Sequence, residues 1–211
     1  MQLSGIKMLI KSRGRDYFKK YKKIINTFVK LFLLIPKNIR VRMFNSSRNF
    51  QGYKGLVIRY ILLKTIAKKC GDNISIHPNV YIFNIENLVI GNNVSIHPMC
   101  YLECFGGLEI QDDVSIAHST SIMTTEHNYL DLEKNINDQG IRICPVLIKN
   151  NVWIGCKVTI LGNSTINSGA IIGANSLVKK RVDKNLVVGG NPLKIIKERN
   201  NENSCSNSNI Q

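Results

Sequence analysis

The sequence has no long apolar run, no paired-cysteine motif and few histidines. Its longest apolar stretch near the start, 28–35, is interrupted by Lys30 and is far shorter than the ~20 residues that span a bilayer. Residues 1–10 contain no apolar core followed by a small-residue cleavage site, so we expect no signal peptide. None of the six cysteines forms a C-x-x-C pair, and four histidines do not make a zinc-finger pattern. We therefore expect a cytoplasmic protein with reduced thiols and no bound metal.

Acidic residues are nearly absent from the first third of the chain. Residues 1–70 contain 18 Lys and Arg but one acid, Asp16, whereas 71–211 contain 11 Lys and Arg and 13 acids. The net charge of +15 therefore belongs to the first third, which attracts an anionic partner such as a membrane, a nucleic acid or an acidic substrate. The 44% apolar content over 211 residues is typical of one globular core rather than of a disordered chain.

An aliphatic residue recurs at every sixth position in the second half of the sequence. The uninterrupted series is Ile148, Ile154, Ile160, Ile166, Ile172 and Val178. A small or β-branched residue follows the first five by four positions: Val152, Val158, Ser164, Ala170 and Ser176. A weaker copy with phase slips near 85–89 and 108–110 lies upstream, at Ile76, Ile82, Ile90, Ile96, Leu102, Leu108, Ile110, Ile116 and Ile122. The slips indicate small insertions at corners.

A period of six predicts a solenoid. Each unit makes one short strand and one turn, three units close a coil of 18 residues, and the repeated aliphatic residue points inward. Ordinary strands alternate with period two, and six consecutive matches disfavour them. We predict an all-β solenoid, a parallel β-helix of hexapeptide repeats over 70–197. A basic, mainly helical extension (1–69) precedes it and a flexible tail (198–211) follows it.

Three short motifs make the repeat region specific. They are N-V-W-I-G at 151–155, I-G-A-N-S at 172–176 and G-N-P at 190–192. With them, residues 70–197 closely resemble the hexapeptide-repeat acyltransferases, especially the galactoside, maltose and polysaccharide O-acetyltransferases. The resemblance implies a left-handed β-helix, a homotrimer with active sites between adjacent subunits, and acetyl-CoA as the acyl donor.

The repeat is interrupted by an excursion over 123–146, which contains His127. A long insertion that leaves a solenoid is usually functional or disordered. Imidazole exchanges protons near neutral pH, so it can take the proton of an acceptor hydroxyl and pass it to the departing CoA thiolate. His127 also matches the position of the catalytic histidine in the similar acetyltransferases, and we assign it that role. Cys104 and Cys156 have no neighbouring histidine in sequence, which disfavours a covalent intermediate.

The resemblance also implies which residues contact the donor. Position by position, the CoA contacts fall on Trp153, Gly155, Cys156, Gly173, Ala174, Lys179, Lys180 and Lys197. Cys156 stands where the family has a small hydroxyl residue, Lys179 where it often has Thr, and Lys197 where Arg is frequent. These changes keep positive charge for the phosphates. The alternative to a role in CoA binding is that Trp153 is an aromatic residue packed at a corner of the coil, and that the lysines are solvated surface residues.

The basic extension contains an amphipathic pattern. One helix face is formed by Phe18, Tyr21, Ile25, Phe28, Phe32 and Ile35. Pro36 ends this pattern, and a second helix is expected over 56–69. The face either packs on the β-helix or a neighbouring subunit, or lies on an anionic membrane at its cytoplasmic side. No known nucleic-acid-binding motif is present, so we expect no nucleic acid partner.

These observations favour O-acetylation of a sugar hydroxyl, in a surface polysaccharide or a lipid-linked glycan precursor. Two alternatives remain open. The acceptor is a small molecule, such as an antibiotic or a free sugar, or the chain is a non-catalytic scaffold that binds a membrane or nucleic acid through residues 1–70.

Overall fold

The computed structural model describes residues 14–199, with side chains from residue 18 onward. Three α-helices open this part of the chain: α1 (Gly14–Phe32), α2 (Lys37–Ser46) and α3 (Gly52–Ile66). Pro36 stands directly before α2, where its missing N–H costs no helical hydrogen bond. Residues 200–211 of the predicted tail lie outside the described residues.

Short strands make up most of the remaining described chain. In order they are β1 (Lys69–Cys70), β2 (Ser75–Ile76), β3 (Tyr81–Phe83), β4 (Leu88–Ile90), β5 (Ser95–Ile96), β6 (Tyr101–Glu103), β7 (Leu108–Ile110), β8 (Ser115–Ile116), β9 (Ser121–Ile122), β10 (Thr125–His127), β11 (Ile141–Ile143), β12 (Val146–Ile148), β13 (Trp153–Ile154), β14 (Thr159–Ile160), β15 (Thr165–Ile166), β16 (Ile171–Ile172), β17 (Leu177–Val178), β18 (Leu186–Gly189) and β19 (Lys194–Glu198).

Parallel pairing between successive coils assembles these strands into three faces. Face A contains β1, β4, β7, β12 and β15, and face C contains β3, β6, β9, β14 and β17. Face B contains β2, β5, β8, β13, β16 and β18, and β19 pairs antiparallel with β18 at its end. Each coil runs from face B through face C to face A. The predicted parallel β-helix, with a helical region before it, is confirmed.

The repeated aliphatic residues stack inside the coils, as the hexapeptide period predicts. On face B, Ile76 pairs with Ile96, Ile96 with Ile116 and Ile154 with Ile172, and all are almost fully buried. Equivalent positions are 20 residues apart in the first coils and 18 apart between β13 and β16. The extra residues lie at 84–87, which includes a 3-10 helix over Ile85–Asn87, and at 104–107. Both insertions occupy the corner between faces C and A, where the phase slips were expected.

The three helices share one hydrophobic core with the coils. Arg59 of α3 is buried and donates hydrogen bonds to the carbonyls of Ile76 (2.8 Å), Ser47 (2.7 Å) and Phe50 (2.9 Å). It therefore joins α3 to the first coil and to the linker between α2 and α3. Arg40 of α2 likewise donates to the Ile35 carbonyl (2.9 Å) and to the Thr65 carbonyl. The helices thus form a cap in which Arg40 joins α2 to α3 and Arg59 joins the cap to the first coil.

The amphipathic face expected on α1 is divided in the structure. Ile25 is buried, Phe32 is half-buried, and Phe18 packs edge-on against the Tyr60 ring with centroids 5.4 Å apart. Tyr21 and Phe28 from the same predicted face are exposed. Part of the face therefore packs on α3 and part faces outward. No helix within the described residues has the length and apolarity needed to cross a membrane.

An ion-pair cluster on Asp72 ties α1 and α3 to the first coil. The Asp72 carboxylate lies 2.7 Å from Lys22 Nζ and 2.5 Å from Lys64 Nζ, and it accepts a 3.2 Å hydrogen bond from the Tyr60 hydroxyl. Burial alone would raise the pKa of Asp72, but the hydrogen bonds and charges of the two lysines outweigh it and lower the pKa to about 2. The cluster therefore favours the ionised carboxylate in the folded state.

Asp72→Asn is expected to lower the free energy of unfolding by about 1 kcal/mol at pH 7, since the pair is partly solvated. Because the folded pKa lies below the unfolded value of about 3.9, this contribution is full above about pH 4 and is lost as pH falls toward 2. Urea unfolding of both proteins at pH 7, 4 and 3 measures the difference. A difference that stays constant from pH 7 to pH 3 would contradict the assignment.

Candidate active site

His127 lies on a two-stranded hairpin that leaves the coil between β9 and β12. Its strand β10 pairs antiparallel with β11, so that Thr125 faces Ile143, Glu126 faces Arg142 and His127 faces Ile141. An ion pair joins the Arg142 guanidinium to the Glu126 carboxylate, which raises the pKa of Arg142. The predicted excursion is therefore an ordered arm.

The tip of this arm is held by its own hydrogen bonds. The Gln139 side chain accepts from the Asp131 amide (3.1 Å) and donates to the carbonyls of Asp131 (2.7 Å) and Lys134 (2.9 Å). The Asn128 amide donates to the Gly140 carbonyl at 3.0 Å. The arm nevertheless exposes many apolar side chains: Tyr129, Leu130, Leu132, Ile136, Ile141 and Ile143. Leu132 is 92% exposed, so the arm finds no apolar cover within the described chain.

The base of the arm is fixed by Glu103, one coil earlier. Its carboxylate accepts hydrogen bonds from the Thr124 amide (2.9 Å), the Thr124 hydroxyl (2.9 Å) and the Thr125 hydroxyl (3.3 Å). It also accepts from the Phe105 amide, and Thr124 is fully buried. Thr125 begins the strand that ends at His127, so the carboxylate sets the direction in which that strand leaves the coil.

Glu103→Ala is expected to lower kcat about tenfold while changing KM for acetyl-CoA by less than about threefold, because a misdirected arm misplaces His127 without touching the donor. Steady-state kinetics at saturating acceptor separates the two constants. Glu109→Ala, which removes an exposed carboxylate on the neighbouring strand β7, is the matched control. Equal kinetics for both variants would show that the clamp does not position His127.

Five of the predicted donor contacts lie along one edge of the solenoid. Trp153 pairs with Ser115 and Ile171 and is 55% exposed. The turns that follow β13 and β16 stack on each other, since the Gly155 amide donates to the Ile172 carbonyl (2.8 Å). In the same stack the Asn175 amide donates to the Cys156 carbonyl (2.9 Å). Trp153, Gly155, Cys156, Gly173 and Ala174 are therefore together at the corner between faces B and C.

Glycine at 155 has a packing role independent of any ligand. A Cβ atom there would lie 2.7 Å from the Ala174 nitrogen and 2.9 Å from the Ile172 oxygen, and both are backbone atoms of the next coil. At Gly173 the nearest atom would be the Val188 oxygen at 3.3 Å, which a small shift relieves. The first glycine is thus required for stacking of the coils, and the second is less constrained.

The predicted cationic contacts lie elsewhere. Lys179 and Lys180 follow β17, at the corner between faces C and A, and they line a groove of about 310 Å³ at the end of the solenoid. Lys194 of β19 lines the same groove, although no motif in the sequence pointed to it. Lys197 faces Val187 across β18 and β19 on face B. The groove therefore gathers three lysines that suit a phosphorylated ligand.

The structure thus divides the predicted site between two corners of the coil. The His127 arm leaves at the corner between faces C and A, whereas Trp153 and the two glycines occupy the corner between faces B and C. One strand with its turn separates these corners, a distance on the order of 15 Å. His127 is exposed, and its side chain forms no hydrogen bond within residues 18–199. A single chain does not bring the histidine to the tryptophan edge.

The histidines of the upstream coils pack at their turns. The rings of His77 and His97 stack with centroids 4.8 Å apart. Burial lowers the pKa of both rings, His97 further lowers that of His77, and His118 that of His97. They are therefore neutral at pH 7. Within the described residues, no group of three or more His, Cys, Asp or Glu is arranged to hold a metal ion.

Comparison with known proteins identifies the family. The family described as bacterial transferase hexapeptide (six repeats) matches residues 145–180. Galactoside O-acetyltransferase of Escherichia coli (strain K12) is 32% identical over 143 residues, which cover 67% of this chain and 69% of that protein. A protein named for O-acetyl transfer in lipopolysaccharide biosynthesis, WbbJ of the same strain, is 31% identical over 140 residues, covering 62% of this chain and 60% of it.

A solved structure agrees with these sequence matches. The galactoside acetyltransferase in complex with coenzyme A superposes with a TM-score of 0.69 at 29% identity, over 77% of this chain and 80% of that one. The repeat, the coil geometry and these similarities lead to one assignment. The chain belongs to the hexapeptide-repeat acetyltransferases, the family of enzymes that transfer an acetyl group from acetyl-CoA.

Proposed function

We propose that the chain acetylates a sugar hydroxyl of a glycan, with His127 as the general base, at a site between adjacent subunits of a homotrimer. The observation that carries this proposal is the separation of His127 from the tryptophan edge. The base lies at the corner between faces C and A, and the tryptophan edge proposed to hold the pantetheine arm of the donor lies at the corner between faces B and C. Placing the arm of one subunit against the tryptophan edge of the next assembles both halves.

The exposed arm supports contact with a neighbouring subunit. Its apolar side chains, which include Leu130, Leu132 and Ile143, are exposed in the single chain. Contiguous exposed apolar surface usually marks an interaction site. A closed ring of three copies would cover every arm with the same neighbouring surface, as cyclic symmetry requires.

The reaction follows from this arrangement. His127 takes the proton of the acceptor hydroxyl as the oxygen forms its bond to the thioester carbonyl carbon. The carbon–sulfur bond then breaks, the thiolate of CoA leaves, and the imidazolium returns the proton to that sulfur. The products are an acetyl ester and CoA, and no bond to the protein forms. An exposed imidazole on an ordered strand suits a base that both substrates must reach.

Donor binding is assigned to the tryptophan edge and to the lysine groove. Trp153 offers a flat apolar wall, and the turns at Gly155, Cys156, Gly173 and Ala174 present backbone groups to an amide-rich pantetheine arm. Lys179 and Lys180 are exposed and border the groove at the end of the solenoid. Ammonium groups of this kind neutralise phosphates, and Lys194 and Lys197 extend the same positive charge.

The names of the relatives support a sugar acceptor. One relative is a galactoside O-acetyltransferase, and another is named for O-acetyl transfer in lipopolysaccharide biosynthesis. We infer that the acceptor is a hydroxyl of a surface polysaccharide or of its lipid-linked precursor. We propose that the enzyme acts on this acceptor in the cytoplasm, at the inner face of the membrane.

The proposal is tested by release of free CoA thiol from acetyl-CoA with three sets of acceptors: oligosaccharides, free monosaccharides and small hydroxyl-bearing antibiotics. The expected result is release that depends on an oligosaccharide and leaves an ester detectable by mass spectrometry. Turnover of antibiotics or free sugars alone would overturn the glycan acceptor. Failure of the purified protein to bind acetyl-CoA would overturn the enzymatic assignment in favour of a scaffold.

A further inference from the structure

We propose that α1 and the turn after it form a docking surface for an anionic lipid membrane. The surface consists of Tyr21, Ile24, Phe28, Leu31, Leu33 and Leu34, and we call it the lipid surface. It lies outside the acetyl-transfer site, and the inference does not depend on which acceptor is used.

The apolar residues of the lipid surface lie on one side of the helix and are exposed. Tyr21, Ile24, Phe28 and Leu31 are spaced by three, four and three residues, which places them along one stripe. Ile25, Val29 and Phe32 lie on the adjacent side and pack toward α3. Leu33 and Leu34 continue the stripe at the turn, where Leu34 is 81% exposed. The helix thus has one apolar side for the core and another that no described residue covers.

The charges around the stripe have one sign. Lys19, Lys20, Lys23 and Lys30 on α1 and Lys37 at the start of α2 are all exposed. The sequence has no acidic residue from 17 to 69. A helix with an apolar stripe bordered by lysines lies in the plane of a membrane, with the stripe among the acyl chains and the ammonium groups at anionic headgroups.

The surface is held in position rather than left to fold back. Arg40 bonds the Ile35 carbonyl at 2.9 Å and also the Thr65 carbonyl of α3, which fixes the turn that carries Leu33 and Leu34. Lys22 on the other side of α1 reaches Asp72 at 2.7 Å. The leucines therefore stay exposed at a corner of a rigid cap, and no conformational change precedes docking.

Charge argues against the other occupants. A two-fold contact of this surface with the same surface of a second copy would bring one lysine-rich rim against another, and like charges at close range repel. A nucleic acid would satisfy the lysines, but it gives no apolar partner to leucines that project from a helix corner. An anionic lipid membrane offers negatively charged headgroups to the lysines and acyl chains to the apolar stripe.

The test is sedimentation of the full-length protein with vesicles of phosphatidylglycerol and phosphatidylcholine, and with vesicles of phosphatidylcholine alone. We expect binding to the anionic vesicles that is at least about tenfold tighter and that weakens as salt is raised. Leu31→Gln/Leu34→Gln should weaken binding to anionic vesicles more than about tenfold at unchanged net charge. The matched control, Met99→Gln/Ile196→Gln, changes two exposed apolar residues of the solenoid and should bind vesicles as the wild type does.

Several results would overturn the proposal. Equal binding of the wild type and the leucine variant to anionic vesicles would show that the lysines alone bind the membrane, without the apolar stripe. No binding to either vesicle type would remove the membrane as the occupant. A change of oligomeric state in the leucine variant, measured by light scattering, would assign the stripe to a second copy. Release of CoA thiol with a water-soluble oligosaccharide acceptor is measured alongside, so that failure of docking is distinguished from failure of the proposed function.

Discussion

Replacing His127 by alanine is expected to lower kcat for acetyl transfer by about 10²–10⁴, the usual contribution of a general base. An alcohol is a poor nucleophile until its proton is removed, and no other side chain on β10 or β11 offers an imidazole. The proposed donor edge at Trp153 lies at another corner of the coil, so affinity for acetyl-CoA should be nearly unchanged. The loss should therefore appear in kcat and not in donor binding.

The measurement is steady-state release of CoA thiol, with acetyl-CoA binding followed by calorimetry on the same samples. Asn137→Ala changes an exposed residue of the same arm and is the control for damage to the arm itself. It should keep kcat within about threefold of the wild type. A His127→Ala enzyme within threefold of the wild type would remove His127 from the chemistry.

Arg59→Ala is expected to lower the free energy of unfolding by about 3–5 kcal/mol, the cost of breaking a buried charged network. The guanidinium bonds the carbonyls of Ser47 and Phe50, in the linker between α2 and α3, and that of Ile76 in the first coil. Without Arg59 the Ile76 and Phe50 carbonyls lose these bonds, whereas the Ser47 carbonyl keeps the Phe50 amide as a donor. The change also leaves a void beneath α3, because Arg59 is 1% exposed. Burial lowers the pKa of Arg59 because the guanidinium is taken out of water, and its Nη2 atom is buried with no hydrogen-bond partner among the described residues.

Equilibrium unfolding in urea, followed by far-ultraviolet circular dichroism, measures this effect. Arg42→Ala removes an exposed arginine of α2 and should change the free energy of unfolding by less than about 0.5 kcal/mol. If the two variants unfold within 1 kcal/mol of each other, the cap is not held by Arg59.

The period of six was sufficient to predict the coils. Inward residues such as Ile96 and Ile154 are set by the spacing alone, and the breaks in phase predict the two corner insertions. His127 was singled out because its insertion interrupts a regular repeat and matches the position of the catalytic histidine in similar acetyltransferases, and its catalytic role stays a prediction. The coils and their insertions follow from the spacing of neighbouring residues, because each coil repeats the pattern of the one before it.

The residues that tie distant segments together were not predicted. Glu103 clamps Thr124, 21 positions away, and Arg59 bonds a carbonyl 17 positions away. Lys194 joins Lys179 in one groove only after the chain turns back through β19. These contacts depend on which corner of the coil each turn occupies. The identity of a residue does not predict that position, so the contacts could not be predicted from the sequence.

The division of the α1 face has a similar cause. Spacing predicts that Phe18, Tyr21, Ile25 and Phe28 lie on the apolar side of a helix, and they do. The width of the face that α3 covers depends on the angle at which the helices pack, and sequence does not report it. Tyr21 and Phe28, the outward part of that face, belong to the proposed lipid surface, whose other four residues the predicted face did not include.

The central claim, that the site needs two subunits, is tested most directly by mixing two inactive variants. His127→Ala lacks the base, and Ala174→Tyr is expected to block the donor edge, where Ala174 is exposed. The two proteins are unfolded, mixed in equal amounts and refolded, with different tags to show that mixed oligomers form. If His127 of one subunit acts with the Trp153 edge of its neighbour, about one quarter of the interfaces regain both intact halves, and activity should return to about that fraction. Mixed oligomers that remain as inactive as either variant alone would show that base and donor edge belong to the same subunit.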